Sequence, residues 1–315
     1  MLTDEQLRKA IQYNKENAAS IELDQSDYAL AWGAAQVQKE DGLDVDGKIG
    51  PLTRSAIDAR LEEPVVKGPF RGLPVGRGVF IRAQSHIGTP SEFKQALKDN
   101  DMNWVVFQRI WQYEGTKKSL LSFRNDTLLP YVDVCTELDV GVWFWGYPQP
   151  DKLAEFSDDL AAAAMVYGYG VIADPEKPFY GKPDKANLLT ELLMTEAVRW
   201  MYRVGITSYG APWYHSNFPF QEFSSAHFGM PQVYDMDNNM PDDYGERAVS
   251  AYLDAGFPSV IPVFPGWNKT TAQLRKLMGN TPTPSGACCS WDWYNLKLNK
   301  SLMDEYQAFD PASCR

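Results

Sequence analysis

Two carboxylates separated by one residue follow a short apolar stretch near the middle of the chain. The stretch at positions 170–173 reads GVIA and is followed directly by Asp174, Pro175 and Glu176. Residues i and i+2 of an extended segment point the same way, and a proline disfavours helical geometry at the residue before it. The spacing therefore predicts that the side chains of Asp174 and Glu176 face the same side. Burial and a nearby like charge raise the pKa of a carboxyl group, so such a pair can supply a general acid.

Polar and aromatic residues follow other apolar stretches in the same way. Several of these positions are candidates for substrate contact or catalysis: Gln232, Tyr234, Asp235, Trp291 and Asp292. Further aromatic residues cluster at or just after such stretches, among them Trp145, Tyr147, Trp213 and Trp267. Flat aromatic rings pack against the C–H faces of sugar rings, so this clustering predicts a glycan cleft, with about half of the rings belonging to the core.

Eight short apolar stretches recur after residue 77 and set the fold that positions these side chains. They begin at 78, 104, 140, 170, 205, 229, 259 and 286, which places successive starts 24 to 36 residues apart. That is the length of a strand plus its crossover, and unbroken apolar stretches are typical of parallel strands buried on both faces. The sequence predicts an α/β fold, a (β/α)8 TIM-like barrel. An open doubly wound sheet is the alternative.

Helical patterns lie between most of these stretches. They cover 92–100, 125–138, 151–167, 185–203, 242–255 and 271–278. The segment 213–228 is rich in proline and aromatic residues and has weak helical periodicity. We therefore expect the helix after the fifth strand to be short or missing.

The first 62 residues predict a small three-helix all-α domain. Helical patterns cover 4–17 and 26–40, and the last third of a turn-rich segment at 42–61 is helical again. Residues 63–76 contain prolines and glycines that interrupt both helix and strand periodicity, which predicts a linker. The barrel domain is then expected to span 77–315.

The segment 36–61 resembles the peptidoglycan-binding domain type 1 family. That family has the pattern G-L-x-V-D-G-x-x-G-P-x-T-x-x-A, and this chain matches it at Gly42, Leu43, Val45, Asp46, Gly47, Gly50, Pro51, Thr53 and Ala56. The resemblance implies a wall-binding module with peptidoglycan as its partner, and it points to Asp46, Gly47 and Thr53 as wall-binding positions. The alternative is a small helical bundle that has kept the fold and lost sugar binding.

The strand ends of the predicted barrel resemble those of two glycoside hydrolase groups that act on N-acetylated glycans. These are the lysozyme group of family 25 and the chitinase-like group of family 18, and both carry D-x-E at the end of the fourth strand. Asp174 and Glu176 occupy that place here. Tyr234 and Asp235 are similar to the Y-D ending of the sixth strand in chitinase-like barrels, and Trp291 is similar to the tryptophan that those barrels often place under the sugar.

One feature of the lysozyme group is missing. That group also has an aspartate on the first strand, whereas this chain offers Arg82, Gln84 and Ser85 there. The absence weakens the family 25 assignment and favours a barrel that has lost catalysis.

The resemblance implies roles for the residues at the strand ends. Glu176 would be the general acid, and Asp174 would orient the N-acetyl carbonyl of the substrate or stabilise positive charge at the anomeric carbon. Tyr234 would help hold the N-acetyl group. Asp235 is a candidate for steering a water or tuning the acid, with a plain acidic loop at 234–243 as the alternative. Two ordinary solvated carboxylates after a strand ended by Pro175 are the alternative.

Composition and charge exclude several other functions. Forty-one acidic and 30 basic residues give a formal charge of −11, which disfavours a nucleic acid partner. Three histidines without an H-E-x-x-H motif make a zinc enzyme an unfavourable interpretation, and no phosphate-loop or dinucleotide fingerprint occurs. We expect no metal and no cofactor. Four cysteines, two of them adjacent, do not form a disulfide framework.

The two resemblances together are those of a bacteriophage endolysin. They imply hydrolysis of the peptidoglycan glycan strand, as a lysozyme or an N-acetylglucosaminidase. The first residues lack an apolar signal region and no apolar stretch reaches membrane-spanning length. We therefore expect synthesis in the host cytoplasm without a signal peptide, action on the wall after membrane permeabilisation, no membrane insertion and a monomeric state. A non-catalytic wall-binding virion or tail-associated protein with a degenerate barrel is the rival hypothesis.

Overall fold

The computed structural model describes residues 4–17, 34–35, 37–39, 42–54, 73–112, 119–121, 125–200, 202–234, 240–265, 271–282 and 286–290. The strands in these ranges are β1 (Gly76–Ile81), β2 (Trp104–Gln112), β3 (Ser119–Leu121), β4 (Gly141–Tyr147), β5 (Gly170–Ala173), β6 (Arg203–Tyr209), β7 (Phe228–Gln232), β8 (Val263–Phe264) and β9 (Gly286–Ser290). The named helices are α1 (Asp4–Asn17), α2 (Pro90–Asp99), α3 (Asn125–Glu137), α4 (Leu153–Tyr167), α5 (Pro183–Trp200), α6 (Phe220–Phe223), α7 (Tyr244–Asp254) and α8 (Thr271–Gly279).

The parallel strands form a sheet that curls back on itself. Parallel pairings run from β2 through β4, β5, β6, β7 and β8 to β9. β1 pairs in parallel with both β9 and β2, so neither side of β1 is an open edge. An open doubly wound sheet would leave such an edge unpaired. The α/β fold is therefore that of a TIM-like barrel, and each of the eight predicted strands is present.

The short strand β3 was not predicted. It pairs antiparallel with the end of β2, with Ile110 opposite Leu121 and Gln112 opposite Ser119. Its three residues are too few to produce an alternating or apolar pattern that a sequence reading can detect.

Two apolar clusters show which side of each strand faces the inside of the ring. One cluster comes from strands and their extensions alone, and we call it the interior cluster: Phe80, Trp104, Val106, Trp143, Trp145, Ile172, Phe228, Met230, Ile261 and Val263. The other cluster combines the intervening strand residues with helix residues and lies between sheet and helices. The period of two along each strand separates the clusters. The interior is thus packed with side chains, as in other barrels of this size.

A β-bulge in β2 changes which residues face the interior. The register against β4 shifts between Gln108 and Ile110, so that Ile110 lies opposite Gly146 and Trp111 lies opposite Tyr147. One extra residue moves every following side chain to the other face of a strand. Ile110 consequently joins the outer cluster, and Trp111 packs against the interior cluster.

The predicted helices are present in the barrel with small differences at their ends. After β6 the chain forms only a short 3-10 turn at Pro212–Tyr214 and the four-residue helix α6. This confirms that the helix after the fifth parallel strand is short. Within the described residues, no helix is long and apolar enough to cross a membrane.

The described N-terminal residues include helical segments, whereas residues 42–50 form turns and irregular structure. α1 agrees with the predicted first helix, and short helical segments at 34–35 and 37–39 lie within the predicted second one. A further helical segment at 51–54 comes just before the predicted third helix, which lies outside the described residues. Residues 55–72, which hold most of the predicted linker, lie outside the described residues. The three-helix domain and its boundaries therefore remain predictions.

Candidate active site

The D-x-E segment leaves β5 at the C-terminal end of the parallel strands, which we call the barrel mouth. Neighbouring strands on both sides hold its backbone. The Asp174 amide donates to the carbonyl oxygen of Gly146 on β4 at 2.9 Å. The buried hydroxyl of Ser208 on β6 donates to the carbonyl oxygen of Pro175 at 2.6 Å. The peptide between the two carboxylates is therefore fixed from both sides.

Gln232, the last residue of β7, contacts both acids. Its Nε2 donates to Oδ1 of Asp174 at 2.9 Å, and it also hydrogen-bonds Glu176. Gln232 lies 58 residues further along the chain than Asp174, so only the barrel brings the two together. The sequence predicted Gln232 to be a substrate-binding residue. In the structure, its side chain connects the acid pair to β7.

Burial dominates the electrostatics of the pair. Asp174 is only 8% exposed. Burial, and then the charge of Glu176, raise the pKa of Asp174 well above its usual value, and the hydrogen bond from Gln232 lowers it by a smaller amount. Burial also raises the pKa of the partly buried Glu176, and the Gln232 hydrogen bond lowers it. Two like charges in a shared low-dielectric site resist joint ionisation. The pair consequently keeps a proton at a pH where a solvated pair would lose both.

A group of polar aromatic residues beside Glu176 was missed by the sequence reading. The Tyr209 and His215 rings stack with centroids 3.8 Å apart and an interplanar angle of 14°. The Tyr180 hydroxyl is hydrogen-bonded to Nδ1 of His215. Burial and then the charge of Glu176 raise the pKa of Tyr209, so this phenol stays protonated next to the acid pair. As the last residue of β6, Tyr209 carried the same strand-end signal as the predicted residues.

On the other side of the pair, Trp111 and Tyr147 form a stacked platform. Their ring centroids are 4.4 Å apart at an interplanar angle of 10°. The guanidinium carbon of Arg82 lies 4.9 Å from the centre of the Trp111 ring. Trp145, in contrast, lies in the interior cluster, 7% exposed and edge-on to Phe80. Of the predicted aromatic residues on this side, Tyr147 is thus partly exposed, in a platform with Trp111.

Trp213 lies in the 3-10 turn after β6, where it is partly buried and packs against the outer cluster. Its ring lies 4.2 Å from the guanidinium carbon of Arg247 and edge-on to the ring of Tyr244 at 6.0 Å. The Tyr244 hydroxyl donates to the Gln232 carbonyl oxygen at 3.4 Å. These contacts connect Trp213 to the residue that holds the acid pair.

One of the remaining predicted strand-end residues is described by the structure, and the others are not. Tyr234 is partly buried and packs against the interior cluster just after β7. Asp235, Trp267, Trp291 and Asp292 lie outside the described residues.

The predicted wall-binding residues belong to a hydrogen-bond network centred on Gln38. The Gln38 amide donates to Asp46 at 2.9 Å and to the Thr53 hydroxyl at 3.0 Å, and it accepts from the Gly47 amide at 2.8 Å. Thr53 is 4% exposed. The network stabilises the loop, and a wall-binding role for these residues stays a prediction.

This arrangement has the elements of acid catalysis on a sugar. It combines a buried acid pair that retains a proton, a fixed backbone between the acids, and aromatic faces on both sides of them. In the described part of the chain, no group of three or more histidine, cysteine or acidic residues forms a metal cluster.

Comparisons with known proteins define the class of fold. No known protein-family profile matches the sequence, and no curated protein matches it either. A xylanase and α-amylase inhibitor protein from Scadoxus multiflorus is similar in structure, with a TM-score of 0.56 and 10% identity over 75% of this chain and 99% of that one. A chitinase from Chromobacterium violaceum has a TM-score of 0.51 and 8% identity over 74% of this chain and 98% of that one. The Bacillus cereus spore cortex-lytic enzyme SleL has a TM-score of 0.51 and 10% identity over 74% of both chains.

These similar structures are chitinase-like family 18-type barrels and a cortex-lytic enzyme. At such low identity the likeness shows the fold alone. The chain therefore has the α/β barrel fold that these three structures share.

Proposed function

We propose that this protein hydrolyses the N-acetylated glycan strand of bacterial peptidoglycan, with Glu176 as the general acid. The observation that carries the proposal is the buried Asp174–Glu176 pair at the barrel mouth, held by Gln232 from the opposite side. A general acid needs a raised pKa to hold its proton at working pH, and this site raises it by burial and like charge. The similarity to a chitinase and to a spore cortex-lytic enzyme supports a glycan substrate.

The mechanism we propose is substrate-assisted. Glu176 protonates the glycosidic oxygen while the N-acetyl oxygen of the same sugar attacks the anomeric carbon. Asp174 and Tyr234 hold the amide, and water then opens the cyclic intermediate with Glu176 as base. The absence of a carboxylate among Arg82, Gln84 and Ser85 after β1 agrees with a nucleophile that comes from the substrate.

This mechanism fixes the stereochemistry of the product. Two successive inversions at one carbon retain the β configuration, whereas direct attack by water inverts it. Proton NMR of the first product, recorded before mutarotation, is expected to show the β-anomer. An initial α-anomer would contradict substrate assistance and would indicate a separate base.

The test of the acid is the substitution Glu176→Gln, which preserves shape and removes the proton. We expect reducing-sugar release from purified sacculi to fall at least about 100-fold, the usual scale of general-acid catalysis. Glu191→Gln, an exposed carboxylate on α5, is the matched control and should retain activity. A folded Glu176→Gln protein with normal turnover would rule out the assignment.

A non-catalytic glycan-binding barrel is the second candidate. The inhibitor protein from Scadoxus multiflorus has the same fold, and the first strand of this chain ends without a carboxylate. Such a protein would bind sacculi and release no reducing ends with any variant. Mass spectrometry of released fragments would also distinguish a glycosidase from a wall amidase.

We also propose that the first 62 residues form a peptidoglycan-binding module and that the whole protein is a monomeric bacteriophage endolysin. On this view it is made in the host cytoplasm and reaches the wall after another protein opens the membrane. The support is the sequence pattern around Gly42, Asp46 and Pro51 together with the glycan-directed barrel. Lysis of cells that express the chain with and without a separate membrane-permeabilising protein would test it.

A further inference from the structure

Two arginines lie over tryptophan rings at the barrel mouth, and neither has a role in the proposed reaction. We call Arg82 with Trp111 and Arg247 with Trp213 the two Arg–Trp pairs. The guanidinium carbon lies 4.9 Å from the ring centre in the first pair and 4.2 Å in the second. In the order of strands around the barrel, the acid pair lies between them.

The Arg247 pair is connected to the acids by three contacts. Trp213 packs edge-on against Tyr244, and the Tyr244 hydroxyl donates to the backbone of Gln232. The Gln232 amide donates to Asp174. The Arg247 pair is therefore linked through Tyr244 to the residue that holds the acid pair.

The Arg82 pair approaches the acids from the other side. Trp111 stacks on Tyr147, which ends β4, the strand beside β5. Tyr209, the last residue of β6, is within electrostatic range of both Tyr147 and Glu176. The platform with Arg82 thus lies at the ends of β1, β2 and β4, beside the strand that the acid pair follows.

The chemistry of such pairs favours an anionic ligand. A guanidinium over an aromatic ring keeps its charge, and its planar fork of N–H donors matches the two oxygens of a carboxylate. Arg247 is exposed on the first turn of α7, and among the described residues it makes no ion pair within 4 Å. Its charge is therefore available to a bound carboxylate.

The positive charge of the two Arg–Trp pairs contrasts with the negative charge of the whole protein. The protein has a formal charge of −11 and would repel an acidic glycan at long range. Positive groups at the barrel mouth would offset that repulsion where the substrate approaches. Peptidoglycan strands carry peptides with free carboxylates, whereas chitin-type strands are neutral.

We propose that the two Arg–Trp pairs bind carboxylates carried by the glycan, so that the barrel prefers strands with acidic substituents over neutral strands. This inference rests on the proposed function and narrows its substrate class. Since each guanidinium acts on a substituent and not on the scissile bond, its loss should change selectivity more than turnover.

The experiment compares three probes with the full-length protein. They are peptidoglycan strand fragments with free peptide carboxylates, the same fragments with those carboxylates converted to amides, and neutral N-acetylglucosamine oligosaccharides. We expect kcat/KM for the carboxylated fragments to exceed that for the amidated fragments about tenfold or more, and the ratio to fall as salt is added.

Substitutions of the two arginines test whether they cause this preference for carboxylated fragments. Arg82→Gln and Arg247→Gln should each lower the ratio of carboxylated to amidated kcat/KM about fivefold to tenfold, and the double variant should remove most of it. Arg247→Lys keeps the charge and should keep part of the preference. Arg203→Gln, an exposed arginine at the opposite end of the barrel on β6, should leave the ratio unchanged.

Binding measurements separate failure of this inference from failure of the proposed function. Equilibrium titration of Glu176→Gln by tryptophan fluorescence needs no cleavage. Selective binding that depends on the arginines, without cleavage by the wild type, would support the inference and reject hydrolysis. Cleavage with an unchanged ratio in a folded double arginine variant would reject the inference and leave hydrolysis in place.

Discussion

At the residue scale, burial of the acid pair lowers the stability of the folded protein. Two carboxyl groups are buried next to each other, with Gln232 as their shared hydrogen-bond donor. Ionisation of both groups is favoured in the unfolded chain and disfavoured in the folded one. This conflict is typical of catalytic carboxylates.

The conflict predicts a pH-dependent stability with a definite sign. Because the folded pKa of Asp174 is raised, the folded state holds more protons than the unfolded state above the usual carboxyl value of about 4. The stabilisation that Asp174 provides at low pH is therefore lost as pH rises from that value towards the raised pKa. Asp174→Asn should melt at a higher temperature than wild type at neutral pH, by roughly 2–4 °C for each kcal/mol gained, and this advantage should shrink near pH 4.

The measurement is thermal unfolding by circular dichroism from pH 4 to pH 8. Asp133→Asn, an exposed aspartate on α3, is the control for loss of one charge. An advantage of Asp174→Asn that does not vary with pH would argue against a raised pKa.

At the element scale, neighbouring strands position the acids. β4 accepts from the Asp174 amide, β6 donates to the carbonyl oxygen of Pro175 through Ser208, and β7 provides Gln232. Groups at the ends of several consecutive parallel strands can hold both acids at the same time. Catalytic groups in such barrels collect at this end for the same reason.

Ser208→Ala tests this positioning. The substitution removes the donor to the peptide between Asp174 and Glu176, and we expect kcat to fall about tenfold or more while KM changes little, because small displacements of catalytic groups are costly. Ser157→Ala on α4 is a matched control, since the Ser157 hydroxyl is buried and makes no hydrogen bond within the described part of the chain. Equal effects of the two substitutions on kcat would argue against a positioning role.

At the scale of the whole molecule, the predicted division into a wall-binding module and a barrel has a direct test. The barrel has its own interior and outer apolar clusters. We expect a protein without residues 1–62 to fold and to cleave small soluble glycan fragments, while its retention on intact sacculi falls. Co-sedimentation with sacculi measures the retention. Undiminished sedimentation of the truncated protein would contradict the binding role of the first segment.

The sequence by itself determined the elements and the acid pair. Eight apolar stretches at regular spacing predicted the eight parallel strands, and the D-x-E spacing predicted two carboxylates on one face. Both are local properties: the period of two along a strand and the restriction before proline act within a few residues. The helix positions could also be predicted from the sequence, because the spacing of apolar residues along a helix is likewise a local property.

The tertiary structure alone decided which side chains complete the site. Gln232 reaches Asp174 across 58 residues of sequence, and Ser208 reaches Pro175 across 33. A bulge in β2 turns Trp111 into the mouth against Tyr147, whereas Trp145 is enclosed in the interior cluster. Strand-end patterns predict that residues lie at the mouth, but contacts between them depend on register, bulges and closure of the barrel. Those are set by pairing between distant segments, which the local pattern does not encode.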